Sequence, residues 1–273
     1  MISSSLSRRA FLSTSSRVIA PSMLALAASD SDRTQSSVAD TVDSSRLPTF
    51  PAQDPNLVRE VVGASHRDLA RVKDLVGARP ALARATWDWG FGDWESALGA
   101  ASHVGNREIA EYLIAMGARP DIFSAAMLGE IEVVRAFVTQ SPGIQRVKGP
   151  HSITLLSHAR AGGAAAASVV DYLTAVGGAD ERPALQPLSA EDRDRLAGTY
   201  RYGSSAEEAF EVTLQREQLR IARGPRTMQN LLHLGGLVFH PSGAEAVRVR
   251  FAAEGAGMMM TVTDGPLTVT ARK

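Results

Sequence analysis

Hydrophobic and polar positions follow two different periods along this chain, and the change of period divides it. From Asp54 to about Arg182, apolar residues recur at helical spacing in short segments. Val72, Leu75 and Val76 precede Gly77. Ile109, Ala110, Leu113 and Ile114 follow Gly105-Asn106, and Val133, Val134, Phe137 and Val138 follow Gly129. Val169, Val170, Tyr172 and Leu173 precede Gly178-Ala179-Asp180. Asp54 is placed to cap the first helix, with Pro55 at its first position. Beyond Gly198 the apolar residues alternate with polar ones, as in Phe210-Glu211-Val212-Thr213-Leu214 and Gln218-Leu219-Arg220-Ile221. Further strands are expected at Gly198–Tyr202, Leu231–Phe239, Val247–Phe251, Met258–Val262 and Leu267–Ala271. Spacing near ten residues, with turns at Pro225, Pro241-Ser242-Gly243 and Asp264-Gly265-Pro266, predicts an antiparallel meander rolled into a small barrel or sandwich. Ser189 begins a short capped helix before it, and a proline-bearing hinge spans 183–187.

The helical part repeats. Glu95 to Pro120 (ESALGAASHVGNREIAEYLIAMGARP) gives a small-residue helix, a turn at Gly105-Asn106, a second helix and a stop at Gly117-Ala118. Related units lie on both sides, with turn positions 67, 105, 129 and 162 separated by 38, 24 and 33 residues. The unit resembles an ankyrin repeat. The resemblance implies an α-solenoid of about four units over 54–182, which buries one continuous core by stacking and binds through its loop tips and inner helices. The second part carries L-x-G-x-Y at Leu196–Tyr200, Val212-x-Leu214 followed by Leu219-x-Ile221, and F-x-P-x-G at Phe239–Gly243. It resembles the small lipocalin-like β domains found after serine β-lactamase-type hydrolase domains, which implies an accessory domain over 188–273 with no chemistry of its own. The expected fold is therefore multidomain α + β: an ankyrin-like α-solenoid followed by a small all-β antiparallel barrel or sandwich.

The amino terminus reads as an address. Ser7-Arg8-Arg9-Ala10-Phe11-Leu12 is similar to the twin-arginine export motif, and an apolar stretch from Val18 leads to Ala25-Leu26-Ala27, an A-x-A-like cleavage site. Residues 1–27 are expected to be a signal peptide and 28–53 a polar linker, giving a periplasmic or secreted protein. A mitochondrial-type presequence is the alternative. A formal charge of zero supplies no basic field for nucleic acid. No apolar run is long enough to span a membrane. Cysteine is absent, which removes disulfides and thiolate chemistry.

Candidate functional residues gather in WDWGFGDW. Trp87, Trp89, Phe91, Asp93 and Trp94, with His103 on the adjoining helix, form a candidate protein-contact patch in a loop between the first two units. The other reading folds these aromatics back as local core. Ser-His occurs at 65–66, 102–103 and 157–158, but helix neighbours diverge and no acid is spaced to orient the imidazole, so the pairs read as repeat echoes. His233 and His240 lack a third ligand, and Met258-Met259-Met260 alternates between sheet faces. No hydrolase elbow, phosphate loop or zinc-protease motif is present. The sequence thus suggests an exported, non-catalytic, monomeric adaptor that captures a folded protein, without cofactor or metal. The alternatives are a binder of small apolar ligands, through a cavity among Tyr200, Phe210, Phe239 and Phe251, and a regulatory subunit of an exported enzyme.

Overall fold

The structure, a computed structural model, describes residues 48–224 and 228–273. The proposed signal peptide, most of the linker and Pro225 lie outside them. The described residues belong to one compact unit, helices and barrel together.

Among the described residues eight short α-helices come first, in pairs: α1 (Pro55–Ala64) with α2 (Leu69–Ala78), α3 (Ala97–His103) with α4 (Arg107–Ala115), α5 (Ile122–Leu128) with α6 (Ile131–Gln140), and α7 (Leu155–Ala161) with α8 (Ala167–Val176). Their starts follow from capping. Asp54, Asp68, Ser96, Asn106, Asp121 and Thr154 each accept a backbone N–H of the first turn. Between α2 and α3 the chain forms a 3-10 turn at Pro80–Arg84 and a hairpin, β1 (Thr86–Asp88) with β2 (Trp94–Ser96), in the register Trp87↔Glu95.

The helices do not form the ankyrin-like solenoid that the repeat pattern suggested. In a solenoid each unit touches only its neighbours, whereas α3 contacts α7 as well as α5, and α5 contacts α7. The links between pairs also differ in kind, and the apolar interior of the helices forms two clusters, one around α1–α4 that also takes Met127 of α5 and one around α5–α8. Small residues cause the collapse. Ala100, Ala101, Ala125, Ala126 and Ala159 are buried and let the helices approach closely. Gly105, at φ +75°, presses the end of α3 against the carbonyl of Ala161 at the end of α7, where a Cβ would overlap it. Gly105→Ala therefore meets both a left-handed backbone and a backbone clash. Urea unfolding should show a loss of about 2 kcal/mol or more.

A ninth helix, α9 (Ala190–Leu196), capped by Ser189, leads into the barrel. The expected meander is present as a closed antiparallel barrel in the order β10-β3-β4-β5-β6-β7-β8-β9. Its strands are β3 (Gly198–Arg201), β4 (Ala209–Gln215), β5 (Gln218–Arg223), β6 (Gln229–Gly235), β7 (Val238–Pro241), β8 (Arg248–Glu254), β9 (Gly257–Asp264) and β10 (Leu267–Arg272). The stretch Leu231–Phe239 is two strands, not one, because the chain turns at Gly235-Gly236. Closure is made by β10 on β3 at Arg272↔Arg201. Tyr200, Phe239 and Phe251 occupy the interior, with Phe251 edge-on to both partners at 5.4 and 5.6 Å. Each such burial contributes about 1.5–3 kcal/mol. Met258 and Met260 face inward. Tyr200 donates its hydroxyl to the Leu196 carbonyl, and burial pushes its pKa up to about 12.

Candidate metal centre

Four side chains from three separated stretches converge at the inner edge of the helices: His66, Glu95, His103 and His151. One donor atom from each lies within 4.8 Å of all the others. His66 follows the end of α1, and its Nδ1 donates to the Gly63 carbonyl at 3.0 Å, leaving Nε2 as a lone pair aimed at the centre. Glu95 stands on β2, whose pleat turns it inward to complete burial. The Trp89 indole N–H donates to its Oε2 at 2.7 Å and leaves Oε1 toward the histidines. His103 ends α3, and His151 sits in the loop before α7.

Around Glu95 Oε1, the Nε2 atoms of His103, His151 and His66 lie at 2.9, 3.3 and 3.6 Å, and His66 Nε2 is 3.1 Å from His103 Nε2. Ligands at 2.0–2.2 Å from a tetrahedral ion sit roughly 3.3 Å apart, so these separations match one ion with little movement. The second ring nitrogens of His66 and His151 are held as metal-binding imidazoles usually are. His151 Nδ1 donates to Asp93 Oδ2 at 2.6 Å, and the His151 backbone N–H donates to Asp93 Oδ1 at 2.8 Å.

Electrostatics favour a dication. Asp93 and Glu95 are buried carboxylates, a costly arrangement unless they are paired or metal-bound. Burial alone would raise Glu95, but hydrogen bonds from His103 and His151 and the positive charge of His151 outweigh it and hold its pKa at about 2. Burial would lower His151, yet its bonds to Asp93 and Glu95 raise it to about 10. A proton thus sits between the two carboxylates in the metal-free chain. With that proton gone, a divalent ion would neutralise both acids. His158 lies behind His103, ring centroids 6.4 Å apart, fully buried and with its pKa lowered mainly by that burial. Its Nδ1 donates to the Thr154 carbonyl. His66 and His151 keep 27% and 32% of their side-chain surface exposed, so the centre faces solvent on that side.

His151 holds a left-handed backbone (φ 57°, ψ 25°), and Ser152 follows at φ 60°. Such strain persists in non-glycine residues where surrounding contacts impose it, and it concentrates at functional sites.

The residues expected to form a contact patch are distributed otherwise. Trp87 and Trp89 pack against the first apolar cluster, and Trp89 serves Glu95. Phe91, at the hairpin tip, stacks on Phe210 of the barrel. Asp93 is buried beside His151. His103 joins the four-donor cluster, and Trp94 remains 61% exposed on the rim of a cavity of about 360 Å³. His66, Glu95 and His151 were missed in the sequence. The usable signal was the Ser-His pairs, because His66 and His103 each follow a buried serine at the end of the first helix of a pair, and those helices lie side by side. The edge-on rings of His66 and His103 are 4.9 Å apart. No protein-family model, curated protein or solved structure matches the chain, and the chemistry of the site rests on its own donor atoms.

Proposed function

We propose that this protein binds one divalent transition-metal ion through His66, His103 and His151 Nε2 and the Glu95 carboxylate, and that this centre is its functional site. The carrying observation is the convergence of four donor atoms, three of which have their other polar atom fixed by a separate partner. Three imidazoles and one carboxylate suit zinc, iron(II), cobalt(II) or nickel(II); the absence of thiolate and thioether donors disfavours copper(I). The four donors fill a tetrahedral set, and a water would join the ion only as a fifth ligand, on the side where His66 and His151 are partly exposed; there a Lewis acid would lower its pKa. Capture of a folded protein is the second reading, and the observation that favours it is the exposed Trp94.

The test is metal content. Protein stripped with chelator, reloaded with zinc(II) and freed of excess ion should retain one zinc per chain by elemental analysis. His103→Ala should retain none while its circular dichroism stays unchanged. Equal retention by the variant, or none by the native chain, refutes the assignment.

A further inference from the structure

The metal ligands all lie in the helical part, yet the barrel reaches them. Asp93, which holds His151 by ring and backbone, is itself enclosed by barrel residues. Gln229, on β6, donates its Nε2 to the Gly90 carbonyl at 3.2 Å and approaches Asp93 Oδ2 at 3.4 Å. Gly243, in the turn after β7, donates its backbone N–H to Ser152 Oγ at 2.9 Å. It lies so close to Asp93 that a Cβ would overlap the carboxylate, and its φ of +82° disfavours any side chain. Phe91 anchors the same hairpin tip against Phe210. The three non-glycine residues with left-handed backbone at this junction, Phe91, His151 and Ser152, each make one of these contacts or neighbour one that does. The hairpin, the His151 loop and the barrel turn thus meet around one carboxylate.

We infer that the barrel completes the metal centre: Gln229 and Gly243 act as positioning residues that fix Asp93, and through it the ligand His151, so that ion binding and barrel docking stabilise one another. This rests on the metal reading above. Neither residue touches the ion. Outer partners of metal-bound imidazoles set ring orientation and ligand basicity, and a coupling of this kind is reciprocal, so the ion also tightens the interface.

Cobalt(II) serves as the probe, because its visible absorption reports ligand geometry. The full chain, Gly243→Ala and Gln229→Met are each titrated with cobalt(II), and affinity is read by competition with a chelator. Gly255→Ala, at the β8–β9 turn with open space around it and φ +60°, controls for general weakening of the barrel. Gly243→Ala should bind about 10–100-fold more weakly and shift the absorption band. Gln229→Met should change both in the same direction by less, and Gly255→Ala should change neither. Cobalt(II) loading should also slow amide exchange in the Pro241–Ala244 turn of the native chain. Unchanged affinity and band in both Gly243→Ala and Gln229→Met overturn the positioning role while leaving the metal site intact. Failure of the native chain to bind cobalt(II) removes the metal reading and this inference together. If Gly243→Ala does not fold, Gln229→Met decides alone.

Discussion

Glu95→Ala should cost the metal-free protein about 3–5 kcal/mol of stability, as expected when one partner of a buried ion pair is removed, and should abolish metal retention. Glu95 is fully buried and receives the Trp89 indole N–H, His103 and His151. Truncation strands all three donors in a space sized for a carboxylate, and His151 keeps only Asp93 as a counter-charge. Glu95→Gln separates the two effects. The amide retains volume and one acceptor oxygen, so stability should recover in part, but a neutral amide is a poor ligand and metal retention should not return. Urea unfolding without metal, with elemental analysis of reloaded protein, reads both. A loss below about 1 kcal/mol for Glu95→Ala would mean that the cluster is solvated rather than a buried ion pair.

The second large effect is on pH dependence, and its sign differs with and without metal. The Glu95 carboxyl is lowered from 4.5 to about 2. The stability it contributes is complete above 4.5 and is lost as pH falls toward 2. The His151 ring is raised from 6.5 to about 10. Its contribution is complete below 6.5 and is lost as pH rises toward 10. The metal-free protein should therefore be most stable between about pH 4.5 and 6.5. Metal binding runs the other way, because the ion must displace the proton on His151. Apparent affinity should rise with pH, roughly tenfold per unit up to about pH 10, with one proton or more released per ion. Calorimetric titration in buffers of different ionisation enthalpy counts those protons. A pH-independent affinity would show that His151 is not a ligand.

The proposed metal centre alters what the second part of the chain means. Its resemblance to accessory β domains implied a module without chemistry. Yet the turn at Gly243, part of the F-x-P-x-G stretch that carried that resemblance, touches the residue orienting His151. The packed barrel interior of Tyr200, Phe239, Phe251 and Met260 makes it a rigid support. A rigid support is what a positioning contact requires, since outer partners act only when they are themselves held in place.

Much of the local structure was legible. Asp54-Pro55 and Ser189 marked helix starts because a capping side chain needs only its own next few residues; the caps at Asn106 and Thr154 appear only in the structure. The two-residue period of Phe210–Leu214, Gln218–Ile221 and Val247–Phe251 marked strands because alternate faces meet core and solvent. Leu231–Phe239 read as one strand because an apolar run conceals a turn, and Gly235-Gly236 was the overlooked signal. The repeat pattern correctly indicated paired short helices. It misdirected the assembly, because alanines and glycines that permit neighbour stacking also permit α3 to reach α7 past its neighbour.

Sequence alone determined most of the helices and barrel strands, two of the caps, the meander and the change from helices to strands, since each depends on residues near one another in the chain. Tertiary structure decided the site. His66, Glu95, His103 and His151 span 86 positions, from 66 to 151 inclusive, with no motif spacing, and Asp93, Gln229 and Gly243 join them only because the barrel docks on the hairpin tip. A ligand set drawn from a helix end, a strand and a strained loop leaves no periodic trace. Convergence of such donors depends on how the elements pack, and packing is set by long-range contacts that no local pattern encodes.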